Sequence, residues 1–63
     1  MNNQDSSRDA YKPEEIATRL SISRAHVYRL LDRGELKSIK IGRSRRVTNS
    51  QLHNFLAVKE QHS

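Results

Sequence analysis

The 63-residue chain contains no cysteine and no tryptophan, and has only one proline and two glycines. The lack of cysteine excludes a disulfide framework and a thiolate zinc site, and it is typical of a reducing compartment. No apolar run approaches the roughly 18 to 20 residues that cross a bilayer, and the polar first ten residues are unlike a signal peptide. We therefore expect a cytoplasmic protein with no membrane partner.

Apolar residues are also scarce, at 33% of the chain. A chain of this length buries only about 60% of the surface that its unfolded form exposes, so we expect one domain with a thin core. Such a core offers little shelter for a catalytic group. The three histidines, at positions 26, 53 and 62, lack metal-ligand spacing. The sequence therefore predicts a protein that is no enzyme and has no metal site or cofactor.

Positive charge is abundant, and it is unevenly placed. The formal net charge is +5, from 12 basic and 7 acidic residues. Residues 19–46 hold nine of the basic residues and two of the acidic ones, whereas the rest of the chain has a small acidic excess. This asymmetry favours a polyanionic partner. The alternative is a solvated basic surface without a partner.

Two short helices are predicted in the first half of the chain. Residues 1–10 lack periodicity and are expected to be a disordered tail that precedes a domain of residues 11–58. Pro13 suits the first position of a helix that ends near Leu20. Ser23 is a good N-cap for a second helix, from about Arg24 to Arg33, and Gly34 follows it as the expected residue of left-handed conformation. Two helices joined by a tight turn form a helix-turn-helix.

The pattern then changes from helical to alternating. Residues 38–41 and 45–48 are predicted as two strands, joined by a turn at residues 42–44. Thr48 and Gln51 have capping-box spacing, and Leu52, Phe55 and Leu56 mark the buried stripe of a third helix that fades near residue 58. Residues 59–63 are expected to be a polar tail. The predicted fold is mainly α with a small β-hairpin: a winged helix-turn-helix with a two-stranded wing and a C-terminal helix.

The second helix is the candidate recognition helix. With its apolar stripe against the core, Ala25 and Arg29 point outward, and an arginine in the first turn is able to bond guanine through two hydrogen bonds. The candidate DNA-contacting residues of this helix are Ser23, Arg24, Ala25, His26, Tyr28 and Arg29. For the arginines, the alternative is a solubilising role on an exposed face. For Tyr28, contact with DNA and packing at the edge of the core remain equally open.

The stretch KIGRSRR places four cationic side chains within seven residues at the hairpin. One or two charges would suffice to protect a strand edge from pairing with other chains. A cluster of this density repels itself unless an anion is present, so contact with phosphates and a minor groove is favoured. The candidate wing residues are Lys40, Arg43, Ser44, Arg45 and Arg46.

The order of these motifs resembles a known family. The stretch YKPEEIATRLSISRAHVYRLLDRGELKSIKIGRSRRVTNSQLHNFL is similar to excisionase-type DNA-binding domains related to the MerR-like winged helices. Those domains typically show xEEIAxxL, SRxxVYRLLxRGEL, IGRxxR and a final xLxxFL. Lys12 departs from the hydroxyl N-cap that is usual before the first helix, and Ser44 lies in the wing tip.

The resemblance implies a phage or mobile-element excisionase, also called a recombination directionality factor, acting in a bacterial host cell. Such proteins bind repeated attachment-region sites on double-stranded DNA, often cooperatively, bend the DNA and direct an integrase towards excision. The partners would be DNA, an integrase and neighbouring copies of the chain, which we expect to be a monomer off DNA. Because the chain shows no dimerisation coiled coil or effector domain, we expect an architectural role. The alternatives are a small winged-helix repressor of phage or plasmid genes and a module that binds an acidic protein.

Overall fold

A computed structural model describes residues 9–62 of the protein. Three helices surround a small core, and a three-stranded antiparallel sheet closes one side of it. In chain order the elements are β1 (Ala10–Tyr11), α1 (Pro13–Leu20), α2 (Arg24–Asp32), β2 (Ile39–Ile41), β3 (Ser44–Thr48) and α3 (Asn49–Gln61). The arrangement is that of a winged helix-turn-helix, and it confirms the predicted fold.

Helix α1 has Lys12 at its N-cap position and therefore begins without a hydroxyl cap, as the sequence indicates. The Lys12 side chain has no acceptor atom to offer the free N–H groups. Instead, the backbone N–H of Lys12 donates to Glu15 Oε1 at 2.8 Å, which ties down the first turn. The helix ends at Leu20 and is followed by the C-cap Ser21, which has a left-handed backbone with φ of +58°. This conformation is uncommon outside glycine, and here it turns the chain towards α2.

Helix α2 begins and ends as the local sequence predicts. The Ser23 hydroxyl accepts from the backbone N–H of His26 at 3.0 Å, which satisfies one of the free donors of the first turn. Gly34 follows the helix with φ of +76°. Val27, Leu30 and Leu31 are buried, so the predicted apolar stripe does face the core.

Strand β1 is an addition to the predicted topology. Ala10 pairs with Thr48 and Tyr11 pairs with Val47, which makes β3 the central strand of the sheet. The expectation that disorder extends through residue 10 is therefore wrong for Ala10. A strand of two residues is too short to show an alternating apolar pattern in the sequence. Its pairing depends on a partner strand that lies 36 residues or more further along the chain. The first eight residues lie outside the described part.

The wing is the hairpin of β2 and β3. Ile39 pairs with Arg46, Lys40 with Arg45, and Ile41 with Ser44. The turn contains only Gly42 and Arg43, and Gly42 has φ of +64° whereas Arg43 does not have a positive φ. This combination fits a type II′ turn, which suits the twist of a hairpin. Ser44 therefore belongs to the strand and not to the predicted turn.

Helix α3 has the predicted start but a later end. The Thr48 hydroxyl accepts from the Gln51 backbone N–H at 3.1 Å, and the Gln51 side chain accepts from the Thr48 N–H at 2.9 Å. This reciprocal pair is the predicted capping box. The helix continues to Gln61, so residues 59–61 are helical and not part of a tail. Residues 59–61 are polar, so the apolar periodicity that predicts a helix stops before them. Polar residues are nevertheless compatible with an exposed helical turn.

In the described part of the chain, the core is one cluster of nine buried side chains. It comprises Tyr11, Ile16, Ala17, Val27, Leu30, Leu31, Leu36, Val47 and Leu52. Leu20, Ile22 and Phe55 are partly buried against it. Leu56, which the predicted stripe places inside, is 38% exposed, and Ile39 and Ile41 of β2 are 40% and 59% exposed. Within residues 9–62, no helix is long and apolar enough to span a bilayer.

Candidate nucleic-acid interface

The outer face of α2 is open to solvent. Ala25 and Arg29 are exposed on the side opposite the buried stripe. In the described part of the chain, no hydrogen bond or ion pair engages the Arg29 guanidinium, so its donors are available to a ligand. The small Ala25 side chain lets another surface approach the helix closely at its first turn. His26 is also exposed, on the flank of α2 that faces α3.

The other flank of α2 meets α1 through a carboxylate that the sequence reading did not single out. Glu14 Oε2 accepts a hydrogen bond from the Tyr28 hydroxyl at 3.3 Å. The same oxygen lies 4.0 Å from Arg24 Nε. Tyr28 is 37% exposed, so it sits at the edge of the interface rather than inside the core. Glu14 thus contacts two of the candidate DNA-contacting residues, Arg24 and Tyr28.

The wing meets α2 through a second ion pair. Arg45 Nη1 lies 3.7 Å from Asp32 Oδ1, with the Arg45 side chain 35% exposed. Arg45 shares a face of β3 with the buried Val47, since alternate residues of a strand point the same way. Lys40 lies opposite Arg45 and belongs to the same face. This face of the wing is turned towards the helices.

The other wing candidates lie at the tip and on the outer face. Arg43 occupies the turn and is exposed, and within residues 9–62 no hydrogen bond or ion pair holds its guanidinium. Ser44 is exposed beside it. Arg46 is half-buried and donates from Nη1 to the backbone carbonyl of Arg45 at 3.0 Å. The three wing arginines therefore differ in availability, and Arg43 is the freest.

The start of α1, the flank of α2 and the wing form the walls of one open groove of about 450 Å³. Its lining residues are Lys12, Pro13, Glu14, Tyr28, Lys40, Arg43, Ser44, Arg45 and Arg46. Five of these are cationic and one is acidic. Lys12 joins the predicted wing residues here, although it lies 28 positions before the first of them. Only the packing of β1 and α1 against the wing places it there, and no motif marks it in the sequence.

The groove suits a chain of phosphates that passes between the recognition helix and the wing. Arginine and lysine side chains neutralise phosphates, and base edges are read by a helix in the major groove. Within residues 9–62, no group of three or more His, Asp or Glu side chains is arranged to hold a metal ion. The excess of cationic side chains in the groove and the exposed face of α2 are features of a nucleic-acid interface, whereas Glu14 is the exception among the lining residues.

Comparison with known proteins decides the family. Residues 10–58 match the family model described as "Helix-turn-helix domain". The match covers well over half of the chain, from β1 into α3. The chain belongs to this helix-turn-helix family. The helix-turn-helix domain therefore spans the recognition helix, the wing and the groove between them.

Two curated relatives of the helix-turn-helix domain come from Mycobacterium tuberculosis. They are named "Putative DNA-binding protein MT0521", from strain CDC 1551 / Oshkosh, and "Putative DNA-binding protein Rv0500A", from strain ATCC 25618 / H37Rv. Each is 40% identical over 42 residues, which is 67% of this chain and 54% of the relative. The match thus spans about half the length of these relatives. No solved structure matched the chain significantly.

Proposed function

We propose that this helix-turn-helix domain is an excisionase of a phage or mobile element. It binds sites in an attachment region, bends the DNA, and thereby directs an integrase towards excision. It has no catalytic activity of its own and takes no cofactor. The observation that carries the proposal is the shared groove, which is lined by Tyr28 of the recognition helix, by the start of α1 and by the basic wing.

The two walls of the groove support binding coupled to bending. The recognition helix reads base edges through Arg24, Ala25 and Arg29, while Arg43 at the wing tip reaches the neighbouring minor groove. An arginine inserted into a narrowed minor groove is stabilised by the concentrated negative potential there. The cationic side chains of the recognition helix and of the wing also neutralise phosphates on one side of the duplex only. This asymmetric neutralisation favours a bend.

The outer face of the wing supports contact between neighbouring copies on DNA. Ile39 and Ile41 lie on the same face of β2 and are both exposed. Exposed apolar side chains beside a DNA-binding surface suit a second copy that is bound at an adjacent site. Because two side chains bury little area, this contact would add to DNA binding and would leave the chain monomeric off DNA.

The experiment is a gel-shift titration on the attachment-region DNA that flanks the gene, with circularly permuted fragments and a random duplex at the same salt concentration. The excisionase proposal expects several stepwise complexes whose mobility depends on the position of the site. Ile39→Ser together with Ile41→Ser should keep the first complex and lose the stepwise ones. A single unbent complex at a promoter would instead make the protein a transcriptional repressor.

Binding without preference over the random duplex would contradict both roles and leave a basic DNA-binding domain. The salt dependence in the same titration tests the alternative that the protein is a module that binds an acidic protein. Each neutralised phosphate contributes about −0.9 to the slope of log affinity against log salt. A steep slope supports DNA as the partner, whereas no binding to either duplex would overturn the proposal.

A further inference from the structure

Within residues 9–62, Glu14 is the one acidic residue that lines the basic groove. Glu14 is the second residue of α1, and its side chain is 46% exposed. A carboxylate beside five cations and facing the path of a phosphate chain opposes DNA binding by charge repulsion. Its presence in this groove requires an explanation beyond favourable placement at the positive end of a helix.

Glu14 makes an ion pair with Arg24 and a hydrogen bond with Tyr28 through the same oxygen, Oε2. On Arg24 the carboxylate approaches Nε, at 4.0 Å. The two terminal nitrogens of that guanidinium, which form the fork that bonds guanine O6 and N7, stay outside this pair. On Tyr28 the hydroxyl hydrogen is donated to Glu14. While that bond lasts, the tyrosine has no hydrogen to donate to a phosphate.

From these contacts we infer that Glu14 increases the sequence specificity of DNA binding. It orients Arg24 so that the fork is available to a base, and it keeps both Arg24 and Tyr28 from acting as general phosphate ligands. Binding to random DNA depends almost wholly on phosphate contacts, so Glu14 weakens it most. Binding to the correct site retains the base contact of Arg24 and loses less. The inference rests on DNA binding by the helix-turn-helix domain and not on the excisionase role.

The size of the effect follows from counterion release. If the loss of the Glu14 charge lets one more cation neutralise a phosphate, the salt slope on random DNA steepens by about 0.9. At about 0.1 M salt this corresponds to a gain of roughly eightfold in affinity for a random duplex. Affinity for the preferred site rises less, so the ratio between the two affinities falls.

The test compares Glu14→Gln with Glu35→Gln in the full chain. Both changes replace one carboxylate with an amide of the same shape, and both raise the net charge equally. Glu35 bonds Lys59 and Arg33 on the side of the molecule that carries α3, away from the groove. Fluorescence anisotropy would follow binding to a random duplex and to the duplex that the wild-type chain selects from a random-sequence library. Thermal unfolding by circular dichroism would show that each variant is folded.

The expected result is that only Glu14→Gln gains affinity for the random duplex, steepens the salt slope and lowers the ratio of specific to random affinity. An Arg24→Ala background should shrink that gain, because part of it acts through Arg24. Equal gains in affinity for the random duplex in the two variants would show that the effect comes from net charge alone, and would overturn the inference. An unchanged ratio of affinities would overturn it as well. A wild-type chain that bound neither duplex would instead contradict DNA binding itself.

Discussion

Arg45 Nη1 lies 3.7 Å from Asp32 Oδ1, and this pair joins the wing to the recognition helix. Asp32 is 74% exposed, and exposed pairs of this kind contribute only about 0 to 1 kcal/mol to stability. The importance of the contact is therefore geometric. It directs Arg45 towards α2, while Arg43 at the tip of the same hairpin has no such partner within residues 9–62.

Arg43 should be the wing residue that contributes most to phosphate binding. We expect Arg43→Gln to weaken binding to all duplexes and to reduce the salt slope by about 0.9, with an unchanged free energy of unfolding. Replacing Arg43, Arg45 and Arg46 together with alanine should flatten the slope further while the fold stays intact. Salt titrations by fluorescence anisotropy would measure both. Lys59→Gln, which removes a charge from α3, is the control. Unchanged affinity in the triple variant would refute the wing assignment.

Arg24 should read one base position. Arg24→Ala should lose roughly 1 to 3 kcal/mol of discrimination at that position, because the guanidinium fork is able to bond guanine through two hydrogen bonds. Arg24→Lys keeps the charge but lacks the fork, so it should lose discrimination while retaining much of the affinity for random DNA. Affinities for a set of duplexes with single base-pair changes would show this. If the specific and random duplexes lost affinity equally, Arg24 would be a phosphate contact.

Two leucines of the same predicted stripe should differ sharply in their contribution to stability. Leu52 is 3% exposed and Leu56 is 38% exposed. Leu52→Ala should lower the free energy of unfolding by about 2 to 5 kcal/mol, since it leaves a cavity in a thin core. Leu56→Ala should cost less than about 1 kcal/mol, because an exposed side chain leaves no cavity. Urea denaturation of both variants would make the comparison, and similar losses would place Leu56 in the core.

Glu35 should titrate below the ordinary range of a glutamate. Hydrogen bonds from Lys59 and then from Arg33 hold the pKa of Glu35 below its usual value of 4.5. The unfolded chain therefore binds more protons at this position than the native chain does. The stabilisation is fully present above the unfolded pKa and is lost as the pH falls through the lowered, folded pKa.

A carbon-detected NMR titration of the Glu35 carboxyl would measure this shift. In Lys59→Ala the pKa should rise towards 4.5, and in Arg33→Ala it should rise less, because the Lys59 hydrogen bond is the largest cause. A pKa that did not move in Lys59→Ala would show that the pair at 3.2 Å is absent in solution.

The three helices, their starts and the ends of α1 and α2 follow from local chemistry, and the sequence alone was enough to predict them, whereas α3 continues beyond its predicted end near residue 58 to Gln61. Pro13 starts α1, Ser23 caps α2, Gly34 ends it with a positive φ, and Thr48 with Gln51 starts α3. In each case the determining atoms lie within four residues of one another. Hydrophobic periodicity likewise identified the buried stripe of α2. The winged helix-turn-helix and the basic wing follow from these signals.

What the sequence did not reveal depends on residues that are distant along the chain. Ala10 is a strand residue only because Thr48 pairs with it, and Leu56 is exposed although Leu52 of the same predicted stripe is part of the core. The extra members of the candidate interface are of the same kind. Lys12 reaches the groove and Glu14 holds Arg24 and Tyr28 because α1 packs beside α2 and the wing. Caps and periodicity determined the elements of this protein, whereas only the packing between elements decided which charges meet, since that depends on their relative positions in space.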